Sequence, residues 1–274
     1  MRETIEAFSK YLQRQEKSKN TVEKYVRDVR KFFSFLGRDE INRDSVLRYK
    51  EELQREYKPS SANSMLVALN TYLKFIEKPE CRVQVCRIQR EIFRSEEKEL
   101  TKEEYRKLVE TAQSQGKDRL SHILQTIGAT GIRVSELRFF TVEAVRAGKA
   151  VVTNKGKTRE VYLPGKLCKR LREYAKAHGV ISGPVLVTRG GQPLDRSNLW
   201  REMKGLCREA KVSAGKVFPH NLRHLFARTF YKAERDLARL ADILGHASVD
   251  TTRIYTLETG STWRRKLDKL NLLL

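Results

Sequence analysis

Cysteine is scarce in this 274-residue chain: Cys81, Cys86, Cys168 and Cys207 are the full set. They form neither C-x-x-C pairs nor a dense disulfide framework, so reduced thiols are expected. Histidine is scarce as well. Of the five, His220, His224 and His246 form the one set worth weighing as ligands, and no Cys or carboxylate stands at a matching spacing, so no metal site is expected. No G-x-x-x-x-G-K-S/T loop occurs, which removes support for an ATP-driven reaction; no cofactor is implied. No run of about 18 apolar residues exists, and Met1 is followed by charged residues, so neither a membrane span nor a secretory leader is expected. The cytoplasm is the expected location. Internal repeats and low-complexity tracts are also absent.

Acidic residues are short too. The chain holds 56 Lys+Arg against 34 Asp+Glu, a formal charge of +22. Residues 1–76 carry 16 basic and 11 acidic side chains and residues 77–274 carry 40 and 23, so the later part holds most of the excess. A field of that sign gathers polyanions, and nucleic acid is the expected partner, with membrane adhesion the weaker rival.

The first quarter reads as four amphipathic helices. Ile5, Phe8 and Leu12 recur at helical spacing; Tyr25, Val29, Phe32 and Leu36 follow an Asn20-x-x-Glu23 start with the form of a capping box, and Gly37 stops the helix. Val46, Tyr49 and Leu53 mark a third helix, and Met65, Leu69, Tyr72 and Ile76 a fourth that begins after Pro59. Aromatic residues at three-four spacing are expected in the core rather than as base-stacking platforms. Lys17, Lys19, Lys24, Arg27, Arg30 and Lys31 are the candidates here for phosphate contact, and a solvated helix face is the plainer alternative.

From Pro79 the periodicity breaks, and 78–98 reads as a linker between a domain at 1–77 and another at 99–274. Thr101-x-x-Glu104 is a capping box opening the second domain. Helices are expected near 118–129, around Arg133, and at 166–178, 195–210, 221–233, 236–244, 248–256 and 262–273. Residues 150–153 and 159–163 alternate as two strands joined by Asn154-Lys155-Gly156-Lys157, which has hairpin-turn chemistry. The fold class expected is mainly α with a small β-sheet (α+β).

A phosphodiester resists attack because its oxygens are already negative, so catalysis needs fixed cationic donors. The planar guanidinium fork engages two phosphate oxygens and stays charged. Arg133 and Arg223 are the candidates, with Glu136, three residues after Arg133, placed to orient its guanidinium from the same helical face. His220 shares a helical turn with Arg223, just after Pro219, a residue suited to a helix start. His246 follows Gly245 at the end of an apolar helix. Tyr255 lies nine residues further on, and a phenol with a pKa near 10 needs cations or a base to become a nucleophile. Lys155 at the hairpin tip can donate a proton to a leaving sugar oxygen; Lys157 and Arg159 are rivals for that task and candidates for phosphate contact.

In the order Arg, Lys, His-x-x-Arg, His, Tyr the chain resembles the tyrosine recombinases of the lambda-integrase family, and most closely their compact Xer-like bacterial members. The resemblance rests on Thr130-Gly-Ile-Arg-Val-Ser-Glu-Leu137, His220-Asn-Leu-Arg-His224 and Leu244-Gly-His-Ala-Ser-Val-Asp-Thr-Thr-Arg-Ile-Tyr-Thr256. It implies a helical core-binding (SAM-like) domain followed by a catalytic domain, closing on duplex DNA in a C shape. It implies Arg133 and Arg223 as phosphate clamps, Lys155 as general acid, and His220 as an acid/base or phosphate contact. His246 becomes a donor to phosphate, Glu136 a supporting residue, and Tyr255 the nucleophile.

The implied reaction leaves a 3′-phosphotyrosine and a free 5′-hydroxyl, uses no ATP, and passes through a Holliday junction within a tetramer built from dimers on specific sites. A related recombinase is an alternative partner, and a bacterial nucleoid the implied place of action. Chromosome dimer resolution, mobile-element integration or excision, and inversion all share this chemistry. The sequence departs from the family in having Ile132 in place of Leu and Asn154 in place of a Gly. In similar proteins a terminal helix like that at 262–273 docks into a neighbouring protomer; packing back on its own domain is the alternative. A type IB topoisomerase and a non-catalytic DNA-binding protein of the same fold are the rival functions.

Overall fold

The computed structural model describes residues 2–88, 96–154, 156–188, 190–246, 248–257 and 260–270. The chain divides into two compact units, Met1–Arg90 and Glu91–Leu274.

The first unit is built on α1 (Arg2–Arg14), α2 (Lys19–Leu36), α3 (Arg43–Glu56) and α4 (Pro59–Phe75). Helix α2 starts earlier than the Asn20-x-x-Glu23 pattern suggests, because Ser18 is its cap and accepts the Thr21 amide. In α3 the cap is reciprocal: Asn42 accepts the Ser45 amide at 2.8 Å and the Ser45 hydroxyl accepts the Asn42 amide at 3.2 Å. The apolar stripes meet in one core, where Phe8 sits edge-on to Tyr72 and Phe32 to Tyr49, each pair 5.1 Å between ring centres. These aromatics are packing, as their spacing predicts.

The unit continues past residue 77. Cys81 and Val83 are buried in the same core, after a 3₁₀ turn at Pro79–Cys81. Two asparagines one heptad apart on α4 hold the outgoing strand by its backbone. Asn70 exchanges hydrogen bonds of 2.8 and 3.1 Å with Val83, and Asn63 exchanges bonds of 2.8 and 2.7 Å with Cys86. The stretch that reads as a linker is therefore seated on α4 at least to Cys86.

In the second unit the Thr101 and Glu104 capping box opens α5 (Lys102–Ser114) as expected. Helix α6 (Asp118–Thr130) stops at Gly131, whose φ of +66° turns the chain. Arg133 is consequently not on a helix: its backbone is extended, and it caps a 3₁₀ helix at Val134–Phe139. Helix α7 (Val142–Ala147) leads into β1 (Lys149–Asn154) and β2 (Lys157–Tyr162), an antiparallel pair in which Asn154 faces Lys157 across a two-residue turn. Ala150, Val152 and Val161 point into the core while Val151 and Tyr162 are exposed.

Helix α8 (Gly165–Ala177) follows, and the single helix expected at 195–210 is two, α9 (Arg196–Lys204) and α10 (Cys207–Ala210), broken at Gly205. Then come α11 (Pro219–Glu234), α12 (Leu237–Leu244), α13 (Val249–Thr252), a 3₁₀ turn at Arg253–Tyr255, and α14 (Gly260–Asp268). Helix α14 carries exposed Trp263 and Leu267, with Leu270 exposed just beyond it; the end of the helix expected at 262–273 lies outside the described residues, as do the last three leucines. The architecture is mainly helical with a small antiparallel sheet. A large core under α5 to α11 is joined by a small separate cluster of Ala227, Leu240, Leu244 and Tyr255. Among the described residues no helix is long and apolar enough to cross a membrane.

Gly131 is irreplaceable for two reasons at once. An added Cβ would lie 2.3 Å from the Phe226 ring, at a φ that side chains rarely adopt. Gly148 has φ +73° but open space around it. Gly131→Ala should cost about 3 kcal/mol in urea unfolding and Gly148→Ala about 1 kcal/mol; equal losses would show that the close packing is not what constrains Gly131.

Candidate active site

Three turns of chain bring the site together: the Gly131–Glu136 turn, the first turn of α11, and the end of α12. Arg223, one turn into α11, is 1% exposed. Its Nη1 donates to the Gly131 carbonyl and its Nη2 to the Leu244 carbonyl, both at 2.6 Å. Those oxygens end α6 and α12, where unpaired carbonyls attract cations. Such partners orient a guanidinium without cancelling its charge. Among the described residues the buried Nε of Arg223 has no hydrogen-bond partner.

Arg133 reaches the same point from the opposite side. Its Nη1 approaches the Leu244 carbonyl at 3.5 Å and Glu136 Oε1 at 3.2 Å, and the side chain stays 33% exposed. Glu136 accepts the Arg133 amide at 2.9 Å. The two residues thus meet through a capping contact rather than across a helix face. Glu136 is fully buried and binds Arg159 with both oxygens, 2.9 Å each. Burial works to raise its pKa, but the Arg159 and Arg133 bonds win and bring it to about 2. Arg159 uses its remaining nitrogen on the Ile243 carbonyl at 3.0 Å. Each of its three nitrogens donates within the fold, and at 14% exposure Arg159 is an internal tie rather than one of the exposed candidates for phosphate contact.

His246 leaves α12 after Gly245, which has φ +64°. Its Nε2 lies 3.1 Å from Arg223 Nη2 and its Nδ1 lies 2.8 Å from the Thr252 hydroxyl. Because a guanidinium only donates, Nε2 is the acceptor here and Nδ1 carries the proton. Tyr255 is buried, with its ring stacked near His246 at 6.3 Å and edge-on to His224 at 5.3 Å. Burial raises the phenol pKa, against the pull of Arg223 and Arg133. His220 is exposed, with its ring edge-on to His224 at 4.6 Å between ring centres. Desolvation and the nearby guanidiniums of Arg223 and Arg133 lower its pKa.

Two residues escaped the sequence reading as site members. Thr252 accepts from His246 Nδ1 once Arg223 has set the tautomer, and so holds the ring from its other side. His224, a metal-ligand candidate in the sequence, is wedged between His220 and Tyr255, and among the described residues its buried Nε2 has no hydrogen-bond partner. Among the described residues no group of three His, Cys, Asp or Glu could hold a metal ion. Lys155 lies outside the described residues. Of its neighbours, Lys157 is exposed at the start of β2.

On the first unit Lys17, Lys19, Arg27 and Arg30 are exposed. Lys24 is engaged by Asp28 and the Ser64 carbonyl, and Lys31 by Glu56 and Tyr57. Those two are therefore partly committed within the fold.

A helical bundle is thus followed by a helical unit with one hairpin, in which three arginines, one of them buried, gather near a tyrosine. Residues 98–260 match the Phage integrase family and residues 5–79 match the phage integrase N-terminal SAM-like domain. Tyrosine recombinase XerA of Pyrococcus furiosus is 32% identical over 99% of this chain and 95% of its own length. The chain belongs to the phage integrase family of tyrosine recombinases. Among solved structures, a lambda integrase dimer bound to a COC′ core site superposes with a TM-score of 0.75 at 17% identity, covering 95% of this chain and 96% of that one. A lambda integrase tetramer bound to a Holliday junction gives 0.73 at 18% identity, covering 93% and 76%.

The histidines give the site a pH signature. Desolvation, with the neighbouring His220 and Arg228 charges at His224 and those of Arg223 and Arg133 at His246, lowers both imidazoles from 6.5 to about 4. A group depressed on folding adds stability that is complete above its unfolded pKa and is lost as pH falls through its folded value. The urea midpoint should therefore be flat above pH 6.5 and fall between pH 6.5 and 4, and His224→Gln should lose less over that interval. An unchanged slope in the variant would show that His224 is not desolvated in the folded protein.

Proposed function

We propose that the protein is a site-specific DNA recombinase that cleaves and rejoins duplex DNA through Tyr255. The observation that carries this reading is the convergence of Arg133 and Arg223 on the Leu244 carbonyl beside His246 and Tyr255. Arg223, held by neutral carbonyls, and Arg133, held by one nitrogen between the Leu244 carbonyl and Glu136, offer charge to the non-bridging oxygens of one phosphate, where negative charge grows in the transition state. The Tyr255 oxygen attacks phosphorus and the bond to the 5′ oxygen breaks. The strand keeps a 3′-phosphotyrosine, and the departing oxygen takes a proton to become a 5′-hydroxyl. Lys155 is the proposed donor of that proton. A 5′-hydroxyl from the partner duplex then attacks the phosphotyrosine and releases the phenol. One phosphoester is exchanged for another at each step, so ATP is not consumed.

Tyr255 is protonated at neutral pH because burial raises its pKa. Its proton must leave during attack, and the imidazole of His224, uncharged at that pH and with its Nε2 without a partner among the described residues, is the local acceptor; His246, whose Nε2 already accepts from Arg223, serves as a phosphate contact. His220 serves as an acid/base or phosphate contact. The exposed cations Lys17, Lys19, Arg27, Arg30 and Lys157 track the backbone of the duplex. As with the lambda integrase assemblies above, the working unit is a dimer on each site and a tetramer around a Holliday junction, made of this chain alone or with a related recombinase. The protein acts in the cytoplasm on nucleoid DNA. The domain limits that go with this reading are a core-binding domain extended from the expected 1–77 to Cys86 at least, where Asn63 holds the chain, and a catalytic domain at 99–274.

Covalent trapping in the native cell, followed by sequencing, yields the DNA site. On a nicked duplex of that sequence Tyr255→Phe should bind as the parent does and form no adduct, and normal adduct levels would remove Tyr255 from the nucleophile role. Arg133→Ala should bind and slow adduct formation by about 100- to 1000-fold; undiminished cleavage would contradict the clamp. Relaxation of any plasmid without strand exchange would assign a topoisomerase activity instead.

A further inference from the structure

We infer that Arg159 is a positioning residue for strand cleavage: it occupies the Glu136 carboxylate so that Arg133 keeps its charge for the phosphate. The inference rests on the recombinase reading of the same site. Glu136 is an acidic group sealed among the guanidiniums of Arg133, Arg159 and Arg223, and an anion there competes with the substrate for them. The geometry decides which arginine it takes. Arg159 meets the carboxylate head-on through Nη1 and Nη2, 2.9 Å from each oxygen. A bidentate fork of this kind is the strongest pairing a carboxylate makes. Arg133 is left with one guanidinium nitrogen at 3.2 Å, while its backbone amide takes the short bond of 2.9 Å. Its side chain remains a third exposed, whereas Arg159 is 14% exposed.

Arg159 is itself fixed from two sides. Its Nε donates to the Ile243 carbonyl at 3.0 Å. The turn that carries His246 lies directly on its guanidinium, since a Cβ on Gly245 would come within 2.9 Å of Nη1 and 3.0 Å of Cδ. Strand β2, the buried carboxylate and the end of α12 are thus tied through one side chain. Without it, Glu136 turns to Arg133, and the guanidinium folds inward on the carboxylate rather than outward on the phosphate.

A tie that is merely structural and one that frees Arg133 differ in their response to removing the carboxylate's charge. Arg159→Met should slow adduct formation on the trapped nicked duplex by about 100-fold, with DNA affinity within about threefold of the parent. Adding Glu136→Gln should then restore about tenfold of that loss, because no anion remains to hold Arg133. Arg159→Lys, which keeps the charge and loses the fork, should fall between parent and Arg159→Met, and its melting temperature guards against misfolding as the cause. A double variant no faster than Arg159→Met would overturn the inference.

Failure of the recombinase reading is separately visible, as absence of any adduct with the unaltered protein. The inference is still tested in that case by inorganic phosphate, through the rise it causes in melting temperature, with Arg133→Ala marking phosphate bound elsewhere. The rise should drop to the Arg133→Ala level in Arg159→Met and recover in the double variant. A rise in Arg159→Met equal to that of the parent, or a parent no different from Arg133→Ala, would overturn it.

Discussion

The charge balance around Glu136 is the constraint on which the site depends. A pocket meant to hold a phosphate must concentrate positive charge, and guanidiniums placed together repel one another and lose hydration. Here the repulsion is relieved in two ways. One carboxylate, held ionised with a pKa of about 2, offsets one arginine in full. The others lean on the Gly131 and Leu244 carbonyls at helix ends, whose partial charges orient a cation and leave it net positive. Burial still tells on Arg223, whose pKa falls to about 10, far enough above neutrality to keep it charged.

The same electrostatics hold the reactive groups at rest. Burial keeps the Tyr255 proton on its oxygen and keeps the imidazoles of His224 and His246 uncharged. In the proposed reaction a phosphodiester brings the charge that shifts this balance, since an anion beside an imidazole favours its protonated form. The phenol proton then has somewhere to go when substrate is present. Arg223 Nε and His224 Nε2, buried and without partners among the described residues, fit that picture, as polar atoms whose hydrogen bonds are left to be made.

Local spacing made much of this readable. Apolar periodicity located the helices, Thr101 and Glu104 announced the second unit, and the Asn154 to Lys157 turn announced the hairpin. The family resemblance names Arg133, Arg223, His220, His246 and Tyr255, which the fold brings together, and Lys155, which lies outside the described residues. What stays hidden depends on partners far away in sequence. Nothing near Arg159 indicates that its nitrogens are used on Glu136 and on a carbonyl 84 residues away. Arg133 reads as helical because apolar spacing carries on across the break at Gly131. Seating of Val83 and Cys86 on α4 was invisible for a different reason: asparagine side chains grip backbone amides, which are the same in every sequence.

Tyr255 belongs to the small cluster with Ala227, Leu240 and Leu244, apart from the large core that stabilises the second unit. Its seat is made by short helices and a 3₁₀ turn, and the end of α12 is tied to the rest of the unit by the Arg223 and Arg159 bonds to its Leu244 and Ile243 carbonyls. The proposed nucleophile and the proposed phosphate clamp therefore share one mounting. A displacement of α12 carries both, so phenol and guanidiniums hold their mutual register.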